Sequence, residues 1–367
     1  MEKSTICNNI PGKNDRSNLS EGKRFRIAIT PVLFIVMLSG IFCTYQKSIP
    51  EKKKIPVITK PVLFNNPQAD EILKAIRIFP PTSAYNEDIS GRPVAANSSA
   101  IIKRMTSRSE LGYNLDMGYV IVPPDHKKVE VQIYSYSSES DPGPFPIPDN
   151  APVEDWKYSK RDDSLLVGGI YQSLDKIQRE GRGDRHVLVL DPYAEKLYEF
   201  YSAFKTDSGW RAAQASTFDL TSNKMRPQGW TSTDAAGLSV FAATLRYPDV
   251  TDGIVSHVIR VTVRRTKREY VYPATHFASK LNDADLPRMG ERFRLKETVD
   301  ISSFSPHAKA IAGGMKKYGL IVADNGLDWL ISIAPDERFK GLEDLSKLKP
   351  DDFEVVVPSG PNDYGRE

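Results

Sequence analysis

Two acidic residues, Glu139 and Asp141, enter a proline-rich stretch, residues 139–148 (ESDPGPFPIP), beside Tyr134, Tyr136 and Phe145. Carboxyls next to aromatic rings are what glycan chemistry needs. One carboxyl protonates the leaving oxygen while a second attacks or activates water from about 5 to 9.5 Å away, and ring faces pack on apolar sugar faces. Acids also form ordinary turns, and a solvated turn is the plainer expectation here. Asp234 is the candidate second carboxylate. It lies in residues 229–238 (GWTSTDAAGL), where Gly229 and Gly237 permit close backbone approach and Trp230 offers a ring. Its alternative role is to cap a short helix.

Among the five histidines, His186, beside Asp184 and Arg185, and His276, after Pro273, are the candidates for proton transfer near neutral pH. His257 falls on an apolar strand face and reads as a hydrogen-bonded core residue, whereas His126 and His307 read as surface. Asp324 and Trp329, around the turn formed by Asp324, Asn325 and Gly326, are candidates for holding a sugar hydroxyl. With Asp328 that turn also has the makings of a weak Ca²⁺ site, but Asn-Gly is first of all a hairpin signal. Tyr136, Trp230 and Arg260 complete the substrate-binding set. Arg260 belongs to a basic cluster with Arg264, Arg265, Lys267 and Arg268, which faces an acidic polysaccharide or keeps a strand edge from aggregating.

Other chemistries lose ground. The sequence has no phosphate-binding Gly loop, H-E-x-x-H, G-x-S-x-G or EF-hand pattern, so no cofactor is expected. Cys7 and Cys43 are the only cysteines and both precede the domain, which rules out a stapling disulfide or a catalytic thiolate within it. The formal charge of +3 misleads. Residues 1–60 hold eleven Lys or Arg against four acids, leaving residues 61–367 with 39 basic and 43 acidic side chains, a net −4. A nucleic-acid partner is therefore not expected, since it demands a positive field.

The elements that must position these residues follow from patterning. Residues 1–26 form a basic leader on the cytoplasmic side. Residues 27–45 (IAITPVLFIVMLSGIFCTY) lack charge over a length close to the ~20 residues that span a bilayer, and read as an uncleaved transmembrane signal anchor. If this segment is cleaved instead, the protein is secreted. Residues 46–60 read as a charged linker, 61–358 as an extracytoplasmic domain and 359–367 as a disordered tail.

Within the domain, Asn66 and Pro67 open a helix with Ile72, Leu73 and Ile76 on one face, stopped by Pro80 and Pro81. Alternation marks strands at residues 119–122 and 129–133. Residues 186–191 (HVLVLD) and 196–204 (KLYEFYSAF) form a central hairpin, and Val255 to Val263 alternate with Arg260 on the opposite face. Ser305 and Pro306 open a second helix with Ala308, Ile311 and Met315 on a stripe, closed by Gly319. Residues 320–323 and 329–333 then pair across Asp-Asn-Gly. There is no regular strand–helix alternation and no repeat, so the expectation is an all-β or β-dominated single domain, β-sandwich or jelly-roll-like, with two or three peripheral helices and one preceding transmembrane helix.

Four phrases, residues 139–148, 184–189 (DRHVLV), 229–238 and 323–326 (ADNG), together resemble a family of exported bacterial proteins of unassigned function. Residues 272–279 (YPATHFAS) and 352–356 (DFEVV) are similar to it as well, so the likeness runs from about residue 79 to 357. The chain departs from the family pattern at Phe145, where Tyr is usual, and at Thr233, where Ala is usual. The resemblance implies export and one continuous domain, and it carries no activity.

From the residues themselves, the expectation is a membrane-anchored, carbohydrate-active protein outside the cytoplasm. It would act as a glycoside hydrolase or polysaccharide lyase on cell-envelope or other polysaccharide, with a carboxylate pair and a histidine. The alternative is a non-catalytic envelope module that binds glycan or protein through Trp210, Trp230 and Trp329.

Overall fold

Short apolar strands, several of them buried on both faces, carry the core of the domain. The computed structural model describes residues 54–156, 164–167 and 170–363. The expected membrane segment, residues 27–45, lies outside them. Among the described residues no helix is long and apolar enough to cross a membrane.

In chain order, β1 (Val62–Leu63) precedes α1 (Pro67–Ala75), and α2 (Ser98–Arg104) precedes β2 (Gly112–Leu115), β3 (Tyr119–Ile121) and β4 (Val131–Ile133). The ribbon β5 (Ser164–Val167) and β6 (Ile170–Ser173) leads to α3 (Leu174–Arg179). Next come β7 (Val187–Asp191), β8 (Lys196–Tyr201), β9 (Phe204–Thr206), β10 (Gly209–Ala212) and β11 (Gln214–Asp219). Two single turns, α4 (Val240–Ala243) and α5 (Tyr247–Val250), precede β12 (Ile259–Val263) and β13 (Arg292–Leu295). The long helix α6 (Pro306–Lys317) is followed by β14 (Leu320–Asn325), β15 (Leu330–Ile333) and β16 (Phe353–Val355).

These strands make a five-stranded sheet, β1-β3-β7-β8-β11, a three-stranded sheet, β4-β10-β9, and a six-stranded sheet, β16-β13-β14-β12-β15-β2. The domain is thus β-dominated, as its patterning requires. Strand β7 shows why residues 186–191 are apolar on both faces. Val187 and Val189 enter a core shared with Val131, Phe145 and Trp210 of the three-stranded side. Leu188 and Leu190 enter the larger core, with Ile259, Val261 and Phe293 of the six-stranded sheet. Burying such a side chain contributes about 1.5–3 kcal/mol, so both faces of the strand are worth keeping apolar. The expected hairpin forms here, Val187 opposite Phe200 and Asp191 opposite Lys196.

The pairing is mixed. Strands β3 and β7, β4 and β10, β12 and β14, and β2 and β15 are parallel, which an antiparallel jelly roll does not contain. Parallel neighbours need a long connection, and residues 264–319, carrying β13 and α6, supply it between β12 and β14.

Local signals decide the helices. Asn66 Oδ1 accepts the N–H of Gln68 at 2.9 Å and Pro67 takes the first helical position of α1. Helix α6 begins at Pro306 and ends where Gly319 turns left-handed (φ 72°). It is embedded rather than peripheral, because Ala308, Ala310, Ile311, Ala312, Gly314 and Met315 are all buried.

Three expectations are corrected here. Strands β14 and β15 do not form a hairpin: β12 lies between them and pairs with both. The domain begins before residue 61, since Ile58 is buried and its N–H donates to Tyr193 Oη at 3.0 Å, while that hydroxyl donates to Pro56 O at 2.7 Å. Residues 359–363 pack onto the domain, with Ser359 buried and Asp363 paired to Arg92 at 2.8 Å.

Candidate functional site

The glycine-flanked loop of residues 229–238 is held from two sheets. Glu199, on β8, is fully buried. Its Oε1 accepts from Ser239 Oγ (2.6 Å) and Phe241 N (3.0 Å), and its Oε2 accepts from Thr233 Oγ1 (2.9 Å) and Val240 N (3.0 Å). Burial raises its pKa, and these four donors work against that rise. His186, just before β7, has Nδ1 2.8 Å from Glu154 Oε2 and Nε2 2.7 Å from the Thr233 carbonyl. Two oxygen acceptors facing both nitrogens favour the imidazolium. Burial opposes that charge, but Glu154 and the Thr233 carbonyl outweigh it and the pKa is pushed up to about 10.

From the six-stranded sheet, Arg260 on β12 reaches Asp234 with two bonds, Nη2 to Oδ1 at 2.8 Å and Nε to Oδ2 at 3.2 Å. Its Nη1 donates to Ser332 Oγ of β15 at 2.6 Å. Both partners are buried, so the pair is a rivet between loop and sheet, and breaking one half of such a pair costs about 3–5 kcal/mol.

In front of this loop lies a cleft of about 270 Å³. Tyr136, Glu139, Asp184, Tyr201, His276 and Asp324 line it. Asp324 stands near the end of β14, with Oδ1 accepting the Asn325 N–H at 2.7 Å. Burial and then repulsion from Asp234 push its pKa up to about 7, with Arg260 pulling the other way. Glu139 closes a single turn, residues 137–139, and its Oε2 accepts the Thr231 N–H at 2.8 Å. His276 Nδ1 is 2.8 Å from the Ala235 carbonyl, so that nitrogen holds a proton, and Nε2 is left to accept one. Asp184 is exposed, and its carboxyl bonds no other side chain among the described residues. The rings of Tyr136 and Tyr201 lie 6.4 Å apart along the rim.

The structure therefore brings Tyr136, Glu139, Asp234, His276 and Asp324 to one place, with Asp234 held rigid beneath the wall. It sends others elsewhere. Asp141 Oδ2 accepts from Thr217 N (2.8 Å) and pairs with Arg226 (2.6 Å), outside the cleft lining. Both nitrogens of His186 are spent and the ring is buried, so it positions Thr233 and cannot exchange protons with a ligand. Arg260 is not part of a surface cluster, because it points inward at Asp234. Trp329 is fully buried, 4.9 Å from the Phe353 ring and 5.4 Å from that of Phe293, with its N–H toward Met105 O, and it offers no face to a sugar. Trp230 is half-buried with Arg226 over its ring at 5.5 Å. Asp234 caps no helix; Ser239 Oγ does so for α4, accepting the Ala242 N–H at 3.1 Å. Asp328 accepts from Ser107 N and Arg264 N, so its carboxylate is not free for a cation at that turn. His257 is the core residue its strand position suggests, 3.1 Å from Asp249 and 2.8 Å from Val258 O.

Asp184 and Tyr201 in the cleft lining, and Glu199 and Glu154 behind it, are the residues of this region that patterning does not single out. Glu199 did carry a signal, an acid inside the apolar strand KLYEFY. Asp184 and Tyr201 carried none, since only the pairing of β7 with β8 brings their ends together. Of the four carboxyls, Glu139, Asp184, Asp234 and Asp324, that of Asp324 is pushed up to about 7, by burial and then by Asp234. A carboxyl with a raised pKa among others in one cleft has the makings of a proton-transfer group.

No family model matches this sequence, and comparison with curated proteins and with solved structures finds no match either.

Proposed function

We propose that the domain is a carbohydrate-active enzyme, a glycoside hydrolase or a polysaccharide lyase, working at this cleft. The observation that carries the reading is the meeting of Asp324, a carboxyl retained near neutrality, with Glu139, Asp184 and His276 beside two rim tyrosines. Asp324 is the proton donor. Glu139 or Asp184 is the second carboxylate of a hydrolase, and His276 Nε2 is the base of a lyase. Tyr136 and Tyr201 offer ring faces to a sugar.

The test uses the purified full chain and a panel of bacterial, algal and plant polysaccharides, following reducing ends and absorbance of unsaturated products. Asp324→Asn is expected to lower turnover by at least about 100-fold, as removal of a proton-transfer group does. Turnover that survives both Asp324→Asn and Glu139→Gln would sink the reading. Retention of one glycan without any product moves the assignment to a non-catalytic binding module.

Residues 27–45 are read as a membrane anchor that places the domain outside the cytoplasm, supported by their length without charge and by the family resemblance. The full chain should sediment with membranes and the chain lacking residues 1–50 should not; equal partitioning of the two would reject the anchor.

A further inference from the structure

A second cleft, of about 330 Å³, is lined by Arg104, Thr106, Ser107, Arg264, Arg265 and Asp328. Arg104 ends α2, Thr106 and Ser107 follow it, and Arg264 and Arg265 leave the end of β12. Asp328 stitches the two segments together. Its Oδ2 accepts the Ser107 N–H at 2.8 Å, its Oδ1 accepts the Arg264 N–H at 2.7 Å, and its own N–H donates to Ser107 Oγ at 2.7 Å. Asp328 is only 2% exposed, so its charge is spent on backbone donors rather than on a guanidinium.

Arg264 and Arg265 are thus held at the cleft by contacts that do not neutralise them. Arg104 at the same wall is paired, with Asp283 at 3.0 Å and Asp285 at 4.0 Å, so it lines the cleft without adding a free charge. The guanidinium groups of Arg264 and Arg265 have no carboxylate, carbonyl or ring partner among the described residues. Elsewhere in the domain Arg226, Arg246, Arg260, Arg294 and Arg338 each bond a carboxylate. Two cations without counter-charges at the lining of one cleft attract an anion. Planar guanidinium forks match the oxygen spacing of phosphate or sulfate, and the Thr106 hydroxyl, exposed at the same wall, supplies a further donor.

We infer that this cleft binds a tetrahedral oxyanion, phosphate or sulfate, either free or carried as an ester on a larger ligand. The inference stands apart from the glycan reading of the first cleft, because none of its residues line that cleft.

The purified full chain is titrated calorimetrically with inorganic phosphate and with sulfate, ionic strength being held constant with chloride. The expected result is saturable binding that the double variant Arg264→Gln, Arg265→Gln weakens at least tenfold. Glutamine keeps the backbone N–H of residue 264, so the Asp328 bond survives, and an unchanged circular dichroism spectrum and thermal midpoint verify the fold. Heat no greater than that of chloride, or equal affinity in the double variant, overturns the inference. Dextran sulfate and plain dextran separate the two sources. Tighter binding of dextran sulfate than of inorganic sulfate, lost in the double variant, assigns the site to an ester. Binding of the inorganic ions with no such gain assigns it to a free anion.

Discussion

Glu199 spends its acceptor capacity on Thr233, in the wall of the cleft, and on the start of α4 just behind it. Four donors converge on a carboxylate with no exposed surface, so removing it strands two hydroxyls and two backbone N–H groups in the core. Each such orphan costs about 1–3 kcal/mol. Glu199→Ala is therefore expected to lower stability in urea unfolding by at least about 3 kcal/mol, while Glu199→Gln, which keeps an acceptor, should lose less. Equal and small losses in both would mean that the loop holds itself. His186 makes a related point. A histidine between Asp-Arg and an apolar strand looks like a proton shuttle in sequence, and what disqualifies it is a carbonyl from residue 233, which no local pattern can announce.

At the scale of elements, the decisive event is the insertion of β12 between β14 and β15. Asn-Gly after an apolar run signals a tight turn, and the chain does turn there. The turn passes over the end of a third strand instead of closing a pair. The Gly326 N–H donates to Val263 O at 3.0 Å and Thr262 Oγ1 donates to Leu327 O at 2.7 Å. A Cβ on Gly326 would stand 3.0 Å from Thr262 Oγ1, so the strand crossing is close at this glycine. The consequence is chemical. In a simple hairpin Asp324 would be solvated; beside β12 it is partly buried near Asp234, and its proton is retained to about neutral pH. Helices α1 and α6, by contrast, are readable from Asn66, Pro67, Pro306 and Gly319, because caps and stops act within a few residues. Arg185 illustrates the limit of such reading. It adopts φ 53° and bonds the carbonyls of Ile177, Gln178, Glu180 and Ala203, a role that depends on where α3 ends in space.

For the whole molecule, buried charge sets the response to pH. Asp116 is pushed up to about 7 by burial and by Glu154 and Asp155, and its Oδ1 has no partner among the described residues. Asp324 is likewise pushed up to about 7. Both hold a proton more tightly folded than unfolded, so the stability they confer is full below about pH 4 and is lost as pH rises through 7. His186, raised to about 10, has the same sign, its contribution being lost as pH climbs toward 10. Against burial, Glu154 and Asp249 are lowered, by His186 and by Arg246 with His257, and their contributions are lost as pH falls below the ordinary carboxylate range. Urea unfolding should therefore show greater stability near pH 5 than at pH 8, by about 2–3 kcal/mol for each raised acid. A steady gain in stability from pH 5 to pH 8 would contradict the buried-acid account. The β-dominated class, the central hairpin and two helices were determined by the amino-acid sequence alone, and Tyr136, Glu139, Asp234, His276 and Asp324 were named by residue chemistry together with Asp141, His186, Arg260 and Trp329, which lie elsewhere in the fold. Periodicity, caps and residue chemistry are local, and they survive without knowledge of neighbours. Strand order, the parallel pairings, the burial of Trp329 and Arg260, the capture of His186 and the joining of Asp184 to Glu139 and Asp324 were decided only by tertiary structure. Each depends on which distant surfaces meet, and burial, charge pairing and shifted proton affinity exist only after they have met.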